Sequence, residues 1–198
     1  MIHYYTNREL SEKLEINLAR WKRWSRSFLP PDPLGGMQSG YARQYAFKDL
    51  FKVYLGGHLL SHLKLSLPDS QQVLNDLSPW MKKNGFLDLN GANGAVTKIN
   101  GQSNGYRIYF CPVRATGAKK GPRFCYLIRK TVGIQSNDSV TGLTIKETVE
   151  ETIIHIDGTD GCFLLQDPHV RMINFSPLFA ALVKNLTTIP SEVTPGKG

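Results

Sequence analysis

The chain has 198 residues, 41% of them hydrophobic and 10% aromatic, which excludes wholesale disorder and leaves room for one large domain or two small ones. Its formal net charge of +8 favours a polyanionic partner, a statement about association and not about fold. No apolar run approaches the ~18–20 residues of a bilayer span, MIHYYTNREL contains no signal-peptide core, and the cysteines (Cys111, Cys125, Cys162) form no CxxC pair. A soluble cytoplasmic protein lacking a disulfide framework, a bound metal or a membrane partner is expected.

In chain order, Thr6 and Glu9 come first with a capping-box signature, in which a Thr hydroxyl takes the N3 amide while Glu reaches back to the cap. Leu10 and Leu14 give a first helix its i, i+4 apolar stripe. After Glu15-Ile16, Asn17 has the side chain of an N-cap. NLARWKRWSRSFL (17–29) then reads as a second helix with four Arg/Lys, two tryptophans and no acid. On a helical wheel Leu18, Trp21, Trp24 and Phe28 gather on one side, and Ala19, Lys22, Arg23 and Arg26 opposite, with Arg20 at the flank. The Trp pair would anchor the helix and aim the cations outward as a set. A Pro- and Gly-rich loop, PPDPLGGMQSG (30–40), comes next. Residues 46–64 are expected to be helical from the spacing of Phe47, Leu50, Phe51, Tyr54 and Leu55. A further helix is expected from about Pro68 to Ser78-Pro79, with Val73, Leu74 and Leu77 inward.

The character changes at Asn84-Gly85. Asn-Gly occurs five times from there to residue 105, and this pair suits type I′ hairpin turns because both central residues take positive φ. The segments AVTKI, YRIYFCPV, RFCYLIRKTV, ETIIHI and CFLLQ read as strands. Ser176-Pro177 has the pattern of N-cap and N1 of a closing helix carrying Phe179, Leu182, Val183 and Leu186. The expectation is an α+β chain: a helical unit over 1–84, a mainly antiparallel β domain over 85–189 with a C-terminal helix, and a flexible tail over 190–198.

The helical half resembles the DNA-binding domain of MerR-like regulators. YYTNRELSEKL (4–14) resembles their first helix, FLPP (28–31) the end of their second, Arg43-Gln44-Tyr45 the R-x-Y of their wing, and AFKDLFKVYLGGHLL (46–60) their third helix. The resemblance covers roughly residues 3–77. It implies a winged helix-turn-helix with helix 17–27 in the major groove and a wing around residues 35–45. The implied DNA-contacting residues are Arg20, Lys22, Arg23 and Arg26 on the helix, and Tyr41, Arg43 and Tyr45 in the wing; Asn17 joins them because a polar side chain at the helix start could reach a base edge. Three features differ from the family pattern. Lys22-Arg23-Trp24 replaces an aromatic-aromatic-acid motif, the loop before R-x-Y carries three prolines, and Pro79 and Gly85 stand where members continue into a long dimerisation helix.

Between Leu89 and Lys130 there is no acid against eight Lys/Arg. Lys119, Lys120 and Arg123 in GAKKGPR are candidates for a second DNA contact or for an anionic effector, with Tyr106, Tyr109, Phe124 and Tyr126 available for stacking. Strand alternation favours core positions for most of these aromatics. His155, Asp157, Asp160, Cys162 and His169 match no metal-ligand spacing, and Glu147, Glu150 and Glu151 read as an exposed acidic edge. No Walker A or Cys/His arrangement points to catalysis, and no cofactor is expected. The reading is a transcriptional regulator of double-stranded DNA acting as a homodimer. Its alternatives are an architectural, excisionase-like protein without an effector and a nucleic-acid-acting enzyme with a helical targeting module.

Overall fold

The capping box forms. The Glu9 amide donates to Thr6 Oγ1 at 3.3 Å and the Thr6 amide to Glu9 Oε2 at 2.7 Å, opening helix α1 (Asn7–Lys13). These bonds favour the ionised carboxylate and hold Glu9 below the usual range. The computed structural model describes residues 4–32, 43–88, 105–113, 124–139, 142–154 and 165–187. Over these, α1 is followed by α2 (Leu18–Phe28), α3 (Phe47–Ser61) and α4 (Leu67–Lys83). Two short strands, β1 (Tyr5–Thr6) and β2 (Gln44–Tyr45), pair antiparallel beside α1. Then come β3 (Tyr106–Pro112), β4 (Phe124–Ser139), β5 (Gly142–Ile154), β6 (Arg171–Asn174) and α5 (Phe175–Thr187). The larger sheet has the order β5-β4-β3-β6, antiparallel throughout. The fold is α+β, with five helices and two antiparallel sheets among the described residues.

Helix α4 starts within a residue of the expected Pro68 and departs from expectation at its C-terminal end. Ser66 caps it, accepting from the Asp69 amide at 3.2 Å. It then runs through Pro79 to Lys83 where a stop near Ser78-Pro79 was expected. Proline removes a helical donor and crowds the preceding turn. Here Pro79 is exposed while Trp80 and Met81, directly after it, are buried, so packing carries the helix across the defect. Asn84 ends it, donating from its side-chain amide to the Trp80 carbonyl at 2.8 Å.

The sheet was only partly anticipated. AVTKI lies outside the described residues, β5 begins well before ETIIHI, and Leu165–Gln166, the described part of CFLLQ, are helical. Strand β6 was missed, because in RMIN only Ile173 is buried and no alternation can be read from four residues. A register shift between Thr131 and Gly133 marks a bulge in β4. Before it β4 is flanked by β3 and β5; beyond it the β4–β5 ribbon has no third strand among the described residues. Along the inner face Ile108, Phe110, Phe124, Tyr126, Ile128 and Ile173 are buried.

The change of character at residue 85 is a change of secondary structure and not a gap in the core. One hydrophobic cluster runs from Leu10 through α2, α3 and α4 to the sheet and α5. At its centre Phe86, 1% exposed, meets Trp80, Phe175 and Phe179 with ring centroids 5.4, 4.8 and 4.9 Å away. Phe179 also meets Phe51 at 5.1 Å. Polar ties cross the same junction: Tyr126 Oη donates to Asp76 Oδ2 at 2.7 Å, and Arg171 to the Leu63 carbonyl at 3.1 Å. Ser176, expected as a helix cap, lies inside α5, where its buried hydroxyl takes the Tyr106 amide at 2.7 Å. The two halves therefore share one interior.

Candidate nucleic-acid interface

The turn between α1 and α2 is fixed by local chemistry. Glu15 takes a left-handed backbone (φ 52°) after α1, and Ser11 Oγ donates to the Ile16 carbonyl at 2.8 Å. Asn17 then caps α2, its Oδ1 accepting from the Ala19 and Arg20 amides at 3.0 and 3.2 Å. The Asn17 oxygen is thus committed to the cap, and only its amide nitrogen is left to meet a ligand.

Helix α2 is divided as the wheel indicates. Trp21, Trp24, Ser25 and Phe28 are buried, whereas Ala19, Arg20, Lys22, Arg23 and Arg26 are exposed. No carboxylate among the described residues pairs with any of the four cations. The buried side is gripped closely by α3. A Cβ on Gly56 would stand 2.7 Å from the Phe28 ring, and one on Gly57 would clash still more closely with the Trp24 ring.

The R-x-Y segment divides its residues differently from expectation. Arg43 is partly exposed, its guanidinium 5.6 Å from the Tyr45 ring centroid. Tyr45 is 1% exposed, packed edge-on to Trp21 at 5.7 Å, and cannot reach a phosphate. Its hydroxyl donates to Asn7 Oδ1 at 2.7 Å and lies 2.7 Å from Ser25 Oγ. Since the one phenolic proton goes to Asn7, Ser25 is the donor in the second bond. Tyr45 therefore leaves the set of contact residues and becomes a strut tying α2 to α1. Tyr41 and the candidates Lys119, Lys120 and Arg123 lie outside the described residues, as do His155, Asp157, Asp160 and Cys162.

Of the aromatics considered for stacking, Phe124 and Tyr126 are buried and Tyr106 packs on Trp80 and Phe86. Tyr109 lies under the Arg129 guanidinium at 5.6 Å. The basic end of the acid-free run is neutralised across the sheet: Arg129 pairs with Glu151 at 2.6 Å and Lys130 with Glu150 at 3.1 Å. Glu150 and Glu151 are exposed on the edge strand, as expected, and pair there with the basic end of that run.

A groove of about 610 Å³ lies beside α2, between its first turns and the end of α3. Arg20 and Arg23 of α2 line it together with His58, His62 and Lys64. The sequence reading missed it. Its signal was the i, i+4 histidine pair in GGHLLSHLK, which becomes informative only once α2 is placed opposite. Comparison with protein-family models, with curated proteins and with solved structures finds no match to this chain.

Proposed function

We propose that this chain is a sequence-specific regulator of transcription that binds double-stranded DNA through a MerR-like helix-turn-helix, with α2 in the major groove and the segment ending at Arg43 as the wing. The observation that carries this reading is the division of α2. Its aromatic side is locked into the core, and Arg20, Lys22, Arg23 and Arg26 stand exposed with no described carboxylate to neutralise them. Fixing the helix by Trp21, Trp24 and the Ser25–Tyr45–Asn7 chain makes the cations a rigid set. The pairing of Gln44–Tyr45 with Tyr5–Thr6 supports the resemblance, because it sets R-x-Y beside the start of α1. Lys and Arg at phosphates release counterions, and Arg meets the O6/N7 edge of guanine in the major groove.

The test is binding of the full chain to sites selected from random DNA, measured at two salt concentrations. Arg20→Ala or Arg23→Ala should weaken the selected site by ~1–3 kcal/mol where the side chain reads a base. Where it meets only phosphate, all sequences should weaken alike and the salt slope should fall by about one. Unchanged affinity in both variants, with native circular dichroism, sinks the assignment of α2. Phased, non-palindromic footprints would favour the architectural alternative, and strand cleavage or base modification the enzyme.

A further inference from the structure

The groove beside α2 has a chemistry of its own. Its volume of about 610 Å³ falls within the roughly 300–1,000 Å³ typical of small-molecule sites. Tyr54 and His58 of α3 and His62, which caps its C-terminus, follow at i, i+4 and i+8 and line the groove. The two imidazoles are stacked, centroids 4.7 Å apart and planes 24° from parallel. Arg20 and Arg23, one turn apart on α2, and Lys64 also line the groove. The one carboxylate lining the groove is Glu15, and it makes no ion pair with these cations.

Two further observations single this groove out. Among the described residues the non-glycine residues with left-handed backbone are Glu15 (φ 52°) and Lys64 (φ 54°), and both line it. Such positions are usually glycine or asparagine; here both are charged residues that line the groove. Lys22 and Arg26 do not line the groove, so it overlaps the proposed DNA face only at Arg20 and Arg23.

We propose that this groove binds a small, free, phosphorylated ligand with an aromatic ring, of the nucleoside monophosphate class, and that the ligand competes with DNA for Arg20 and Arg23. The phosphate lies among the two guanidiniums and the Lys64 ammonium, which is charge-assisted and bidentate where Arg is the donor. The base stacks on the imidazole pair. Burial, and secondarily His62, hold the His58 pKa below its ordinary value, so that ring is a neutral flat surface at physiological pH. Ligand binding does not depend on the DNA-binding reading; only the competition does.

The experiment is calorimetric titration of the full chain, without DNA, with the four 5′-monophosphates of adenosine, guanosine, cytidine and uridine, and with inorganic pyrophosphate. At least one nucleotide is expected to bind saturably with one-to-one stoichiometry, tighter than pyrophosphate, and His62→Ala and Lys64→Gln should each weaken it about tenfold or more. Both substitutions are at exposed positions, and thermal melting verifies their fold. In a DNA-binding assay the nucleotide should displace DNA from the wild type. Lys64→Gln should bind DNA alone within about twofold of wild type and resist the nucleotide. Absence of saturable binding by all four nucleotides, binding untouched by both variants, or pyrophosphate binding as tightly as any nucleotide each overturns the proposal. A Lys64→Gln variant that loses DNA affinity and salt slope while no nucleotide binds makes the groove part of the DNA surface, which also overturns it. Nucleotide binding that needs His62 and Lys64, in a chain that binds no DNA, upholds the ligand site and refutes the regulator.

Discussion

Tyr45 shows how a residue type can be identified correctly and its task misread. An R-x-Y pattern names an arginine and a tyrosine but not the face each takes when the strand pairs. In β2, Gln44 is exposed and Tyr45 turns inward, where its hydroxyl links two helices through Asn7 and Ser25. Removing it in Tyr45→Phe leaves the buried Ser25 hydroxyl without its acceptor and Asn7 without a donor. An unsatisfied buried group costs ~1–3 kcal/mol, so urea denaturation should show a loss of that size. The salt slope of DNA binding should not move, because no phosphate contact is lost. A stable Tyr45→Phe with a reduced slope would return Tyr45 to the DNA surface. The α2 cations were readable because a wheel needs only spacing. The committed Asn17 oxygen was half readable, as a cap, since capping is local.

Among the elements, α3 carries the least expected device. Two glycines in mid-helix each cost ~1 kcal/mol of helix propensity relative to alanine, and periodicity offers no reason for them. The reason is α2, whose Phe28 and Trp24 rings occupy the space where the two Cβ atoms would be. Gly57→Ala therefore gains propensity but collides with a buried indole. The expected net result is a loss of ~1–3 kcal/mol, the usual cost of overpacking, read as a lower melting temperature. A Gly57→Ala variant that melts higher would show that the helices separate freely. Caps and apolar spacing placed α1, α2 and α3 because the forces that start and orient a helix act within a few residues. The end of α4 escaped, since Trp80 and Met81 hold it through contacts made far away in sequence. Strand β6 escaped for a similar reason: it exists because β3 offers Arg107–Phe110 as a partner edge, not because RMIN is a strong strand former.

At the scale of the molecule, the shared interior changes what a fragment can do. Cutting after Lys83 removes Phe86, Phe175 and Phe179, and bares Phe47, Phe51 and Trp80. A 1–83 fragment should lose cooperative melting or aggregate, whereas a sharp transition near that of the full chain would show the helical half to be self-sufficient. Since α4 ends at Lys83, no helix among the described residues extends from it as a dimerisation stalk. The homodimer proposed for DNA binding must then form through the β half, and sedimentation of the full chain, free and DNA-bound, should give a dimer; a monomer in both states rejects it. The same aromatic junction also places the chain on a clock. Phe51 waits for Phe179, more than a hundred residues later, and at ~5–20 residues per second of synthesis that is a delay on the order of 6–25 s. Through that interval the nascent helices lack the rings that cover Phe51, and exposed apolar surface of this kind promotes aggregation, so slowing translation between residues 86 and 179 should lower the yield of folded chain.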